Sequence, residues 1–197
     1  MQLLAQKPVD AITIDELVNT AGVAKGSFFN HFADKTVFAS AVADDIRAQL
    51  ETRVCQFNEG IDDPLIRLSG GMIMSAAFAL RERRRATVLV ARSASSQALA
   101  EHPLNLGIVA DMDMACGRSL VAREAERAGV QFWLGCCHMV MSGIVARPAD
   151  QGHAANLLQD MVCMGLRGLA AATRDIDRLT SGGILVERLD AALHQFD

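Results

Sequence analysis

Apolar residues recur along this chain at intervals of three and four, the period of a helix, and nowhere alternate as strands do, so the chain reads as all-α. Thr13, followed three residues on by Glu16, forms a capping box that opens a short helix with an apolar stripe of Ile14, Leu17 and Val18. Ala21-Gly22-Val23 ends that helix, because Gly22 can take the positive φ of a sharp helix-to-helix turn and Val23 can tuck back between the helices. A second short helix follows at once, with Phe28 and Phe32 anchoring it from below and Lys25, Ser27, Asn30 and His31 offering groups that bond phosphates or base edges. That arrangement is the shape of a DNA reader. Asp34 then caps a linking helix over Lys35 to Phe57, whose Val37, Phe38, Ala41, Val42 and Ile46 are expected to face the two short helices.

Beyond Glu59-Gly60 the helical pattern continues. Asp62-Asp63-Pro64 starts a mostly apolar helix over Leu65 to Leu80 through Gly70-Gly71, and Glu82 to Arg85 form a charged corner. Further helices are expected over Thr87 to Gln97, Pro103 to Ala128, Gln131 to Ala146, Gly152 to Thr173 and Ile184 to Phe196, with turns near His102-Pro103, Gly129 and Arg147-Pro148. The stretch Ala128 to Ala146 carries no Asp, Glu, Lys or Arg and approaches the ~20 apolar residues that cross a bilayer. Gln131, His138 and Ser142, and the lack of a second such stretch, favour instead a bundle helix packed on its own domain on one face and on a partner on the other. The segment around Leu157, Leu158, Met161, Val162, Leu166 and Leu169 is similarly double-faced, and Gly165 and Gly168 leave room for a neighbouring helix. These two helices, carrying Val140 and Leu158, are the expected dimer interface. The division expected is a head over residues 1–50 and a helical body over residues 51–197.

Composition narrows the chemistry. With 197 residues, 51% of them hydrophobic, the chain can bury a sizeable core, and a net charge of −4 argues neither for nor against nucleic acid. Five cysteines without CxxC spacing, and no secretory-type leader pattern, read as reduced thiols of a cytoplasmic protein. Cys136, Cys137 and His138 with Cys163 suggest a metal site only weakly, because adjacent residues of a helix point about 100° apart. No phosphate loop, nucleophile elbow or HExxH pair is present, so no enzyme, metal or cofactor is expected.

The run G-V-A-K-G-S-F-F-N-H-F from Gly22 to Phe32, with Lys35 behind it, resembles the TetR family of transcriptional regulators, whose reading helix is commonly G-V-S-K-G-T-L-Y-x-H-F followed by a lysine. The resemblance spans roughly Leu3 to Leu50. It implies Lys25, Gly26 and Phe29 near base edges or sugars, and Ser27, Asn30, His31 and Lys35 toward the phosphates, with Thr13 in the same DNA-facing set. Ala24 cannot cap the reading helix through its side chain as the usual serine does, and Phe29 lacks the usual tyrosine hydroxyl. Met1-Gln2-Leu3-Leu4-Ala5 reads as the last turns of a first helix without the basic arm, and the expectation is a natural start further upstream. Between residues 1 and 60, acids (Asp10, Asp15, Glu16, Asp34, Asp44, Asp45, Glu51, Glu59) outnumber bases (Lys7, Lys25, Lys35, Arg47, Arg53), which weakens phosphate binding.

A single reading helix contacts few base pairs, so such proteins place two of them about one DNA turn apart under two-fold symmetry. The resemblance implies a homodimer held by its last two long helices, a small-molecule effector in a central pocket, and release of the DNA operator on binding. Met72, Met74, Phe78, Met112, Cys116, Trp133, Cys137, His138 and Met141 are the candidate pocket residues, being adaptable or aromatic; Arg92 and His102 are weaker candidates for holding an anion. The alternatives are a ligand-sensing dimer with a degenerate head and, third, a membrane-associated helical protein.

Overall fold

The computed structural model describes residues 2–92 and 103–196. The head comprises α1 (Gln2–Gln6), a 3-10 turn at Val9–Ala11, α2 (Ile14–Ala21) and α3 (Lys25–His31). Both halves of the capping box form: the Glu16 amide donates to Thr13 Oγ1 at 3.1 Å, and the Thr13 amide donates to Glu16 Oε2 at 2.8 Å. Those bonds and the Lys7 ammonium hold the Glu16 carboxyl down at about 2. α2 closes on Gly22 at φ 68°, with the Gly22 and Val23 amides donating to Asn19 and Val18 carbonyls. Val23, however, is half exposed rather than tucked between the helices. The space beneath the reading helix is filled by aromatic rings, with centroid distances of 5.6 Å for Phe28–Phe32, 5.6 Å for Phe28–Phe38 and 5.1 Å for Phe32–Phe38.

Phe38 belongs to α4 (Lys35–Phe57), capped by Asp34 through the Thr36 and Val37 amides. Its buried stripe is Ala39, Ala43, Ile46 and Leu50, so Val37 and Ala41 face outward, contrary to expectation. Small residues on that stripe let the helix lie close against its neighbours. Those neighbours are α5 (Pro64–Arg81) and α6 (Arg83–Arg92), the second starting within the expected charged corner; positions beyond residue 92 of the expected Thr87–Gln97 helix lie outside the described residues.

α5 is the central pillar. It opens with Asp63 as N-cap and proline in the first turn, and is buried from Leu68 to Ala79 apart from Gly71, which explains its apolar character all round. Ser69 and Ser75 donate their hydroxyls to the carbonyls of Leu65 and Gly71, each at 2.8 Å, so neither is an unpaired polar group in the core. Around the pillar stand α7 (Leu106–Gly117), α8 (Ala125–Val145), α9 (Gln151–Gly168) and α11 (Ile184–Leu193), with α10 (Thr173–Thr180) against α9. The guanidinium of Arg83 donates to the carbonyls of Ile144, Val145 and Arg147 and closes the C-terminal end of α8.

Two expected boundaries shift. The single helix over Pro103 to Ala128 is broken after Gly117, and Gly129, expected as a turn, sits inside α8 against the Met112 sulfur. The helix expected to reach Thr173 ends at Gly168, and α10 is an additional element. Both stops use a left-handed residue other than glycine, Ser119 at φ 53° and Ala170 at φ 56°, with the hydrogen bonds of a Schellman motif.

α8 and α9 pack as the glycines suggested, but on one another: a Cβ at Gly165 would lie 2.8 Å from the Trp133 ring, and one at Gly168 would lie 2.6 Å from Phe132. Val140 and Leu158 are wholly buried inside the protomer, so they are core and not interface residues. The apolar side chains these helices turn outward are Phe132, Met139 and Met164. By length and composition α8 could cross a membrane, yet Trp133, Cys137, Val140, Met141 and Ile144 on its inner face are buried in the body.

The adjacent glycines of α5 should respond oppositely to alanine. A Cβ at Gly70 would come 2.1 Å from Asn58 Oδ1, and Asn58 is buried with its amide nitrogen bonded to the Arg67 carbonyl, so it cannot swing away. At Gly71 the nearest atom is Val54 Cγ1 at 3.8 Å. Urea denaturation should show Gly70→Ala destabilised by about 1–3 kcal/mol and Gly71→Ala stabilised by roughly 0.5–1 kcal/mol. Equal effects would show that Asn58 is not fixed.

Candidate nucleic-acid interface and effector cavity

α3 has one buried side chain, Phe28, and presents Lys25, Gly26, Ser27, Phe29, Asn30 and His31 to the outside. Phe29 is an exposed aromatic, held edge-on to Phe28 at 5.5 Å, and Gly26 opens to empty space where a backbone can be approached closely. Ala24 gives the helix no side-chain cap, as its sequence implied. Lys25 is paired with Asp15 of α2 at 2.8 Å, both groups well exposed.

Two residues of the expected DNA-facing set are engaged inward. The hydroxyl of Thr13 belongs to the capping box, and the Lys35 ammonium donates to the carbonyls of Asp10 and Ile12 at 2.8 and 3.0 Å. The physical reason is the same for both. A turn followed by a helix start leaves backbone groups without partners, and these side chains are the nearest to satisfy them.

Behind the head, α4, α5, α7 and α8 line a cavity of about 60 Å³ that opens through a mouth to solvent. Of the expected lining residues, Trp133 and Cys137 are there. Met72, Met74 and Met112 are core, and Phe78 packs on Phe196 at 6.1 Å. Cys116, His138 and Met141 do not line it either. His138 is half-buried with Nδ1 lacking a partner, and burial lowers its pKa. Of the weaker candidates, His102 and the Arg92 side chain lie outside the described residues.

Sequence reasoning missed the polar lining. Arg67 Nε donates to Asp111 Oδ1 and its Nη1 to the carbonyls of Asn58 and Ile61, and burial lifts the Asp111 carboxyl above its ordinary range against the pull of Arg67. Trp133 Nε1 donates to the Leu68 carbonyl at 3.0 Å. Glu51, on α4, is pushed up to about 7 by burial, with Arg47 pulling the other way. The Cys137 thiol is pushed strongly upward by burial, with Cys136 and Glu51 adding to the effect, so it is not a nucleophile. One sequence signal existed: Arg67, Gly71 and Ser75 recur at intervals of four on an otherwise apolar helix, and that face lines the cavity.

Residues 1–42 match the family model of bacterial regulatory proteins of the tetR family. Among solved structures, the crystal structure of RolR without ligand is similar to this chain, with a TM-score of 0.62 and 19% sequence identity, over 92% of each chain. At that identity the likeness concerns the fold. No curated protein sequence matches.

Glu51 gives the body a pH signature. Its carboxyl titrates near 7 in the folded chain and near 4.5 when exposed, so between those values the native state holds a proton that the unfolded chain has released. Stability therefore falls as pH rises through that window and is level above it, by roughly 3 kcal/mol at most. Calorimetry should show Glu51→Gln melting above the native protein at pH 8, the difference vanishing near pH 4.5. A difference independent of pH would assign the cost to something other than ionisation.

Proposed function

We propose that this chain, a TetR-family DNA-binding regulator by its head, is a homodimeric repressor that leaves its operator when a small molecule fills the cavity among α4, α5, α7 and α8. The carrying observation is α4. Phe38 near its start packs under the reading helix, and Leu50, Glu51, Val54 and Asn58 further along form a cavity wall. A ligand that prefers one tilt of α4 thereby selects one placement of the reading helix, which is the differential affinity an allosteric switch requires. In this reading the head is residues 1–50, the body residues 51–197, and α4 crosses the boundary unbroken.

The DNA face is Lys25, Gly26 and Phe29 toward base edges or sugars, with Ser27, Asn30 and His31 toward phosphates. Lys35 acts through the Asp10 and Ile12 carbonyls it holds. The dimer joins α8 and α9 of two protomers through Phe132, Met139 and Met164, and the setting of such a regulator is the cytoplasm. The acidic head and the Lys25–Asp15 pair favour a second reading, a ligand-sensing dimer that binds DNA poorly. Selection of DNA fragments at controlled salt separates the two: recovery of paired half-sites about one turn apart supports the repressor. Recovery of no preferred sequence even at low salt supports the sensor.

Asp15→Asn removes the carboxylate that competes with phosphate for Lys25. Anisotropy titration should show binding up to about fivefold tighter, since exposed pairs contribute about 0.2–1 kcal/mol. Unchanged affinity would exclude Lys25 from the contact. At the dimer face, Met164→Glu places a carboxylate on a side chain that is 64% exposed in the protomer, so the fold should survive while the interface fails. Light scattering should report folded monomers, and an intact dimer would put the interface elsewhere.

A further inference from the structure

We infer that the cavity takes a compact organic cation, a single-ring ammonium, with the Glu51 carboxylate as its counter-ion. This rests on the reading of the cavity as the effector site and adds the chemistry of what enters it. The inference follows from which polar groups of the lining still have capacity. Arg67 is engaged by Asp111 and two backbone carbonyls, the Trp133 indole by the Leu68 carbonyl, and the Ser75 hydroxyl by the Gly71 carbonyl. Asn58 donates to the Arg67 carbonyl. The strong donors of the lining are thus committed within the protein, and an anion entering here would find none ready for it.

Glu51 is the reverse case. Among the described residues it has neither a hydrogen bond nor an ion pair, only the longer-range attraction of Arg47, whose guanidinium is bonded to Asn105. A carboxyl lining a cavity without a partner is stabilised by a guest that brings positive charge and N–H donors together. Leu50, Val54, Leu68, Ile108 and Leu134 give the rest of the wall its apolar character, with Trp133 among the lining residues. At about 60 Å³ the inner space is smaller than the ~150 Å³ that encloses a benzene ring, so a compact guest seats its ammonium inside and leaves part of its ring in the mouth.

The groups facing Glu51 leave it as the titrating centre near neutrality. Arg47 lies on its own helix, Arg67 of α5 and Asp111 of α7 are paired with one another, and burial moves the Cys137 thiol of α8 upward, away from this range. A carboxyl that titrates near 7 is about one-eleventh ionised at pH 6 and mostly ionised at pH 8, so cation affinity should rise about tenfold across that interval.

The test uses benzylamine and its neutral counterpart benzyl alcohol on the full chain, read by the fluorescence of Trp133, the single tryptophan, and by melting temperature. Expected is saturable benzylamine binding about tenfold tighter at pH 8 than at pH 6, and at least about tenfold tighter at pH 8 than benzyl alcohol. Glu51→Gln should abolish both the selectivity and the pH trend while keeping the fold and the alcohol response. Benzyl alcohol binding as tightly as the amine, without a pH trend, would overturn the cation chemistry and leave the effector site standing. If neither probe perturbs Trp133 or the melting temperature, both the site and its chemistry fall.

Discussion

A single continuous helix joins the two ends of this molecule, and most of what the structure can do depends on its being unbroken. α4 runs for 23 residues, about 34 Å at helical rise. At one end Phe38 completes the aromatic cluster with Phe28 and Phe32, so the reading helix rests on α4 directly and not through a loop. At the other end Glu51, Val54 and Asn58 form a wall of the cavity. Between them the buried stripe of Ala39, Ala43, Ile46 and Leu50 holds α4 against the body with few bulky side chains. Packed helices move as bodies rather than bend, so a small displacement at the cavity end reaches α3 as a change of angle.

Much of the head was legible because its signals are local. A capping box, a left-handed glycine and an Asp N-cap each act within four residues, and each occurs where its residues stand. The body was legible as helices but less so as boundaries. Ser119 and Ala170 close helices in a conformation that usually calls for glycine, while Gly129 and Gly165 sit inside helices, where the approach of Met112 and Trp133 requires them. Gly129 therefore marks a contact where a turn was expected, while Gly165 marks the close approach its sequence implied. Most of the expected pocket residues, Trp133 and Cys137 apart, lie away from the cavity for a related reason. Flexible and aromatic side chains fill a core as readily as they line a cavity, and Met72, Met74 and Phe78 are on the fully packed sides of α5. The cavity itself is set by Arg67 meeting Asp111 across 44 positions of sequence, a relation no local pattern contains.

The polar content of the cavity is not a source of stability, and under the proposed function it is a cost accepted for recognition. Arg67 and Asp111 are brought out of water together, and pairs of this kind often contribute no more than well-packed apolar residues would. Among the described residues Glu51 has no hydrogen-bond or ion-pair partner to offset its burial, only the longer-range pull of Arg47, and its raised titration reflects that cost. An apolar residue at position 51 would serve packing better. What a half-buried carboxylate supplies is selectivity, because a guest that satisfies it is distinguished from one that merely fits.

The same contrast holds at the reading face. Lys25 is held by Asp15, and Lys35 by two carbonyls, so few cations of the head stand ready for phosphates. Nonspecific attraction to DNA grows with the number of phosphates neutralised, and an acidic head reduces it. Under the proposed function direct readout depends instead on geometry: exposed Phe29 and open Gly26 on a short helix anchored by three packed rings. Weak nonspecific binding leaves affinity more dependent on correct spacing between two reading helices. In the proposed switch spacing is the quantity that α4 transmits, so a head poor in charge would be one whose release responds most steeply to a tilt of that helix.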